Sequence, residues 1–541
     1  MIKYIFCMRR IVEFLTSFRA PWLLAIGAAV CMSFFAVWWG SLNQDEGWYL
    51  YAAQLVHDGK LPYRDFFFTQ GPTMPFVYSV LSPIWWSVGS PLQGLLGGRV
   101  VTLLFGFAAI LTGIALVRHL VPAERRGLAG LTVFAMLGCN LYHMYFTTIP
   151  KTYALGGLFV MVGFLLLARG LTSKVPICYL FAAGLSLAFA SGTRISLVLI
   201  LPVVGLLLLA RFRVFRWGFL WFGLGGAVGL FLTYGLFALD PPSLRTLLAA
   251  QSYHAARGGF DPFFALGSVS RLLRGYAALG VIGVAVPFLA HGACTPPAAA
   301  AAEDEATRLT TWALVCGFAA VFLLQLSAPF PYDDYQVPIM GLLTVVISAW
   351  FARSHAIEST SCPRAAWFVV LVACGISFVS PLLQEWATFA QDRFWSQKKE
   401  MTELAKLREI GREIDCLDPG GKTLLTQDLY LAVETGRTVP PGLEMGPFCY
   451  FPDWPTDKAR ALHVMNRELM TELLESAPCP LAACSGYAFA VMAPSCRETP
   501  FDEQKNFFSS LKKNYELADT AAKFGQNATT LILLKRREGA K

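Results

Sequence analysis

Two adjacent carboxylates, Asp45 and Glu46, follow the first long apolar run of the chain, where a membrane helix should already have ended. A charge at the bilayer boundary is costly unless it is paired or used. For Asp45 that cost favours a functional role over a mere contribution to the helix dipole. Glu46 has a second reading. Asn43 stands three positions before it, so the two fit a capping box that starts a helix. Trp48, Ala52 and Leu55 then line one face, and Gly59 ends the helix. The stretch "DEGWYLYAAQLVHDG" is therefore expected as an amphipathic helix lying at the outer surface, its acids beside the first span.

The elements that must position these acids are membrane helices. The chain has 541 residues, 55% hydrophobic and 15% charged, with a mean hydropathy of +0.51. Apolar runs near 20 residues recur through the first 385 positions, which excludes an ordinary soluble protein. The net charge of +8 does not point to nucleic acid, because the cations flank the apolar runs. Lys3, Arg9 and Arg10 precede a run from Pro21 to Gly40 that is long for a signal peptide, so an uncleaved first span is expected. Spans are expected near 21–40, 99–117, 127–145, 152–168, 175–190, 195–210, 217–238, 276–291, 310–327, 338–352 and 365–384, about eleven in all. Residues 73–92 are apolar but broken by Pro75, Pro83 and Pro91, which predicts an interfacial or re-entrant piece.

Charge sets an expected orientation. With a cytoplasmic N-terminus, the inner loops carry Arg118, Arg125 and Arg126, then Arg169 and Lys174, then Arg211, Arg213 and Arg216, then Arg353 and Arg364. The outer loops are then 41–98, 146–151, 191–194, 239–275 and 328–337, and an odd span count puts the tail outside. The run "TPPAAAAAEDEATR" (295–308) reads as a cytoplasmic linker. The expected domains are a membrane domain, 1–385, with its long first loop 41–98, and a soluble tail, 391–541. The tail mixes helix-like "KKEMTELAKLREIGREI" and "VMNRELMTELLESA" with strand-like "KTLLTQ", "YAFAVMA" and "TTLILLK", which predicts a small extracytoplasmic α/β domain. Eight of the 13 cysteines precede residue 385. Cys416, Cys449, Cys479, Cys484 and Cys496 lie in the tail, where one or two disulfides of unassigned pairing are expected.

The first loop, "DEGWYLYAAQLVHDGKLPYRDFFFTQGP", resembles that of the GT-C membrane glycosyltransferases, in particular the protein mannosyltransferase and lipid A aminoarabinose transferase group (glycosyltransferase family 39 and relatives). The resemblance covers the spans and loops through about residue 385 and, more weakly, "YLAVETGRTVPPGLEMGPF" in the tail. It implies a mainly α, polytopic bundle that uses a polyprenyl-phosphate sugar as donor at the outer leaflet. It makes Asp45 the catalytic base, with Glu46 beside it. This chain departs from the group in two places. Gln70-Gly71-Pro72 stands where aminoarabinose transferases carry Lys-Pro, and "TTIPKTY" offers Lys151 where relatives often hold an Asp.

The implied reaction needs cations for the leaving lipid phosphate. The outer loops offer Lys151, Arg194, Arg257, Arg271 and Arg274, each also readable as a snorkelling interfacial cation. Lys151 and Arg194 sit in very short loops and are expected to converge with Asp45 in one cavity; Arg257 is the third candidate. Substrate contacts are expected from Tyr49, Gln70, His254, Tyr332, Asp333 and Tyr335. "FPYDDYQVP" (330–338) could bind a sugar hydroxyl or a divalent metal, or be a solvated turn.

The resulting expectation is a multi-pass inner-membrane enzyme that requires no cofactor but leaves room for a divalent metal. Its partners would be a polyprenyl-phosphate sugar, a lipid, protein or glycan acceptor, and membrane lipids. A flippase or transporter of lipid-linked sugars is the first rival. It would place ionisable groups mid-span, and Val100–Val117 and Tyr153–Ala168 contain none. A surface-polysaccharide polymerase or ligase and a non-enzymatic scaffold for the tail are the others.

Overall fold

The computed structural model describes residues 18–87, 89–291, 304–354, 362–383 and 401–538. Lys3, Arg9 and Arg10, most of the Ala-rich linker and the passage between the expected domains lie outside the described residues. Among the described residues, eight helices are long and apolar enough to cross a membrane. They are Arg19–Trp38, Leu95–Leu120, Thr152–Thr172, Pro176–Thr193, Gly218–Ala238, Glu305–Leu326, Asp333–Arg353 and Pro363–Leu383. Ala123–Gly138 and Leu141–Thr148 make one further candidate, bent by 67°. Asn140 causes the break. Its side chain caps the second helix at His143 N and donates to Gly275 O, 3.0 Å away.

The expected count of about eleven is not confirmed. The apolar runs near 195–210 and 276–291 do form helices, but short ones: Ile195–Ala210 opens on a 3-10 turn, and Ala277–His291 has 15 residues. At 1.5 Å per residue, 15 residues rise only about 22 Å, against a hydrocarbon core of about 30 Å. Helices Pro176–Thr193 and Gly218–Leu230 pack backbone against backbone. A Cβ on Gly184 would come within 2.0 Å of Phe222 O. Residues 73–92 hold only two short helices, Thr73–Ser79 and Pro83–Trp86, as the prolines require.

The capping box forms as the sequence predicts. Asn43 N donates to Glu46 Oε1 (2.9 Å), and the Asn43 side chain accepts from the first turn of the helix Gln44–His57. The helix is not amphipathic at a surface, however. Every residue from Glu46 to Leu55 is buried. The reason is the tail, which lies across it. A Cβ on Gly47 would fall 2.3 Å from Tyr430 N, so only glycine admits the tail helix Leu429–Thr435. Leu42 N donates to Glu403 Oε2 (2.6 Å), Gln44 N to Gln526 Oε1 (2.9 Å), and Val439 N to Tyr51 Oη (3.0 Å). Tyr51, Trp85, Leu404, Tyr430 and Leu533 belong to one continuous apolar core. First loop and tail therefore lie on the same side of the bundle.

The tail builds a four-stranded sheet in the order Leu425–Thr426, Leu481–Cys484, Thr529–Arg536, Tyr515–Phe524; the first pair is parallel and the others antiparallel. Helices Glu403–Leu417, Arg467–Ser476 and Phe501–Asn514 accompany it. The disulfide expectation fails: all five tail cysteines are free. Cys484 faces Ile532 within the sheet, and Cys449 Sγ donates to Gly446 O. They serve as small buried side chains rather than as staples.

Candidate active site

A cavity of about 540 Å³ opens between the first loop, the adjoining ends of the bundle helices and the tail. Asp45, Tyr49, Gln70, Lys151, Arg194, His254, Arg257, Tyr332, Asp333 and Tyr335 all line it, although they come from five separate stretches of chain. Arg271 and Asp334 line it too; Arg274 does not.

Glu46, expected beside the base, points elsewhere. It forms a two-pronged pair with Arg99, Nε to Oε2 and Nη2 to Oε1, both 2.7 Å. The remaining Arg99 donors reach Val37 O, Gly40 O and Ser41 O at 2.9, 3.0 and 3.1 Å, satisfying carbonyls left open where the first span ends. Glu46 thus fastens the loop helix to the bundle. Arg99 had no signal in the sequence beyond its place at the start of an apolar run.

Asp45 faces the cavity. Trp48 Nε1 donates to its Oδ1 (3.2 Å), and Lys151 Nζ lies 2.9 Å from its Oδ2. Lys151 also approaches Asp334 Oδ2 at 3.5 Å, and Tyr153 Oη donates to that same oxygen at 3.0 Å. Burial pushes the Asp45 carboxyl up, but the Lys151 ammonium outweighs it and holds the group below its ordinary value. Burial pulls Lys151 down while Asp45 and Asp334 raise it, and the carboxylates win, so it stays a cation. Lys151 is accordingly engaged by two carboxylates rather than free for a phosphate.

Arg194 and Arg257 are in the opposite position. Among the described residues neither has an acidic partner within ion-pair distance, and the Nε of each is buried without a hydrogen bond. The Arg194 guanidinium carbon lies over the Tyr335 ring, 4.2 Å from its centre, and over Tyr153 at 5.4 Å. Arg257 Nη2 donates to Cys496 Sγ at 2.9 Å. Arg271, in contrast, pairs with Asp333 (2.9 Å), which also accepts from Tyr142 Oη (2.6 Å). Two guanidiniums with no acid in ion-pair contact among the described residues suit the binding of a phosphate.

His254 sits 2.8 Å from Gln70 Nε2. Burial, with Arg257 and Arg194 nearby, pushes its pKa down to about 3, so it faces the cavity as neutral imidazole. Met445, Phe448, Tyr487, Val491, Cys496 and Gln526 close the cavity from the tail. Met445 and Phe448 fall in the tail stretch of weak resemblance, and the other four carried no local signal, since each joins the site only through the docking of the tail. Tyr142 and Tyr153 were hidden in a different way: aromatics at a span end read as an interfacial belt.

Among the described residues, no group of three or more His, Cys, Asp or Glu could hold an ion. Asp45, Asp333 and Asp334 each already meet a Lys or Arg side chain.

No family model matches the sequence, and no curated protein matches it in sequence. Solved structures do match in shape. ArnT from Cupriavidus metallidurans bound to undecaprenyl phosphate superposes with a TM-score of 0.57 at 11% identity, over 96% of this chain and 98% of that one. Its apo state gives 0.55 at 12% identity, over the same shares. The chain therefore has a GT-C-like fold: a polytopic helical bundle with strands in its C-terminal tail.

Proposed function

We propose that the chain is a membrane glycosyltransferase. It moves a sugar from a polyprenyl-phosphate donor to an acceptor hydroxyl or phosphate at the outer leaflet. One observation carries this reading: Asp45 and two guanidiniums without acidic partners among the described residues face the same cavity. The ArnT match, whose structure holds undecaprenyl phosphate, supports the choice of donor class.

In this reading Asp45 accepts the proton of an acceptor hydroxyl as that oxygen attacks the anomeric carbon. The bond from that carbon to the phosphate oxygen breaks, and its electron pair leaves on the lipid phosphate. Arg194 and Arg257 meet the charge that gathers there. An Asp held below its ordinary pKa is a weak base but a fully ionised one. That suits a late proton transfer, when the attacking hydroxyl has become acidic. Tyr49, Gln70, Tyr332 and Asp333 border the space left for the sugar.

Purified protein supplied with labelled hexose and pentose polyprenyl phosphates tests the reading. Expected is release of polyprenyl phosphate matched by sugar transfer, and loss of both in Asp45→Asn. Failure to consume any lipid-phosphate donor would overturn it.

The reading also puts first loop and tail on the outer face. Cys416 is free and exposed in the tail. A membrane-impermeant thiol reagent applied to intact cells should label it, and Cys416→Ser should abolish that label. Labelling only after the cells are opened would reverse the orientation.

A further inference from the structure

Asp45 and Asp334 come from loops nearly three hundred residues apart, yet each presents its Oδ2 to the same point. That point is occupied by Lys151 Nζ, at 2.9 and 3.5 Å. Two carboxylates converging at the mouth of a polar cavity are the usual frame for Mg²⁺, Mn²⁺ or Ca²⁺, whose oxygens lie about 2.0–2.6 Å away. Here a covalently attached cation holds the position. Its side chain is only 7% exposed, and it starts from the residue that opens the span Thr152–Thr172. It is therefore tethered to the chain and cannot exchange with solvent ions. Tyr153, two residues further on, donates its hydroxyl to Asp334. Asp333, the third cavity carboxylate, is held by Arg271 and Tyr142.

Given the glycosyl-transfer reading above, we infer that Lys151 stands in for a divalent cation between Asp45 and Asp334, so that transfer runs without a metal. Lys151 is a positioning residue in this scheme. It neutralises Asp334, orients Asp45 toward the acceptor and keeps Asp45 ionised. A divalent ion would supply twice the charge and would draw Asp45 into its coordination shell. An ammonium gives up one hydrogen bond and leaves the second carboxylate oxygen, the one facing Trp48, beside the cavity.

The experiment uses the full-length protein in detergent, dialysed against EDTA, with Mn²⁺ binding followed by electron paramagnetic resonance alongside sugar transfer. Expected is a transfer rate unchanged by chelation and no Mn²⁺ site that responds to Asp45→Asn or Asp334→Asn. Lys151→Met should move the acid limb of the pH–rate profile upward by about one pH unit or more, because burial then acts on Asp45 against Trp48 and Arg257 alone. Lys151→Arg, which keeps the charge, should hold that limb near its wild-type place. A purely structural lysine would lower the amount of folded protein without moving the limb.

Loss of transfer on chelation with recovery by Mn²⁺ would overturn the inference and leave the glycosyltransferase reading standing. So would a stoichiometric Mn²⁺ site abolished by Asp45→Asn. If no donor is consumed under any condition, the glycosyltransferase reading falls, and the Mn²⁺ measurement still decides what lies between the two carboxylates. Should Lys151→Met fail to fold, the wild-type and Asp334→Asn measurements carry the same decision.

Discussion

The Glu46–Arg99 and Asp45–Lys151 pairs are built from consecutive acids, but one is sealed and the other borders a cavity. Glu46 and Arg99 have side chains 0% and 1% exposed; those of Asp45 and Lys151 are 30% and 7% exposed. A helix turns about 100° per residue, so neighbouring side chains leave it on different faces. The two faces here have been given different work. The Arg99 guanidinium spends its donors on Glu46 and three backbone carbonyls, which fixes the loop helix against the bundle. Asp45 keeps part of its carboxylate facing open space. A fully satisfied ion pair positions an element, whereas a partly exposed one remains able to react.

The strongest way to break this contrast is to remove Arg99. Arg99→Ala leaves Glu46 buried without a counter-charge, which should cost about 3–5 kcal/mol. Thermal unfolding in detergent and the yield of monodisperse protein read this directly. The double replacement Arg99→Met with Glu46→Gln should recover much of the loss, since no charge is then stranded. An Arg99→Ala protein that melts like wild type would show that the seal positions nothing.

Asp45→Asn gives the reverse result. It keeps size and shape, so the melting temperature should hold while transfer falls on the order of a hundredfold or more. Measured per folded molecule, Glu46→Gln should retain far more turnover than Asp45→Asn. Equal losses would merge the two pairs into one functional unit.

Arg194→Gln and Arg257→Gln act one step further from the bond that breaks. On the proposed function each removes charge-assisted hydrogen bonds to the donor phosphate, worth about 1.5–3 kcal/mol apiece. Donor affinity should therefore fall by roughly ten- to a hundredfold, with the melting temperature little changed. Arg194→Lys should not restore it, because a lysine cannot offer the forked donors of the guanidinium that sits over Tyr335.

How much of this was legible in the sequence follows the same divide. Residues whose chemistry is local could be read. Asn43 and Glu46 are a capping box by spacing alone, and Lys151 and Arg194 stand out as cations in very short loops. What depends on distant packing could not be read. The loop helix was expected at a surface, because nothing near Gly47 announces that Tyr430 will press against it. The capping box explained Glu46 but not its partner, since Arg99 lies in the second span, beyond the two short helices of the first loop. Cys496 and Gln526 reach the cavity only once the tail has folded and docked. Hydrophobicity alone also counted Ile195–Ala210 and Ala277–His291 as spans, because it does not register where a helix stops.

Glu434 offers the smallest effect and a third case between the two pairs. It is 7% exposed, like the sealed acid, yet its cation is distant: Arg408 Nε lies 3.6 Å away, where Arg99 lies 2.7 Å from Glu46. Its Oε2 accepts from Leu95 N (3.1 Å), so it fastens the tail to the start of the span Leu95–Leu120. Burial pushes its pKa up to about 7, against the lowering pull of Leu95 N and Arg408. Glu444 is raised to about 7 as well, again by burial. A carboxyl whose folded pKa is raised binds its proton more tightly when folded. Its contribution to stability is therefore complete below the ordinary carboxylate range and is lost as pH rises through about 7. The protein should melt at a higher temperature at mildly acidic pH than at alkaline pH, and Glu434→Gln should remove part of that slope, on the order of 1 kcal/mol. Glu444→Gln should remove a separate part, because no contact joins the two carboxyls. A slope unchanged by Glu434→Gln would mean that Arg408 neutralises Glu434 as fully as Arg99 does Glu46, and that distance to the cation does not separate the two buried glutamates.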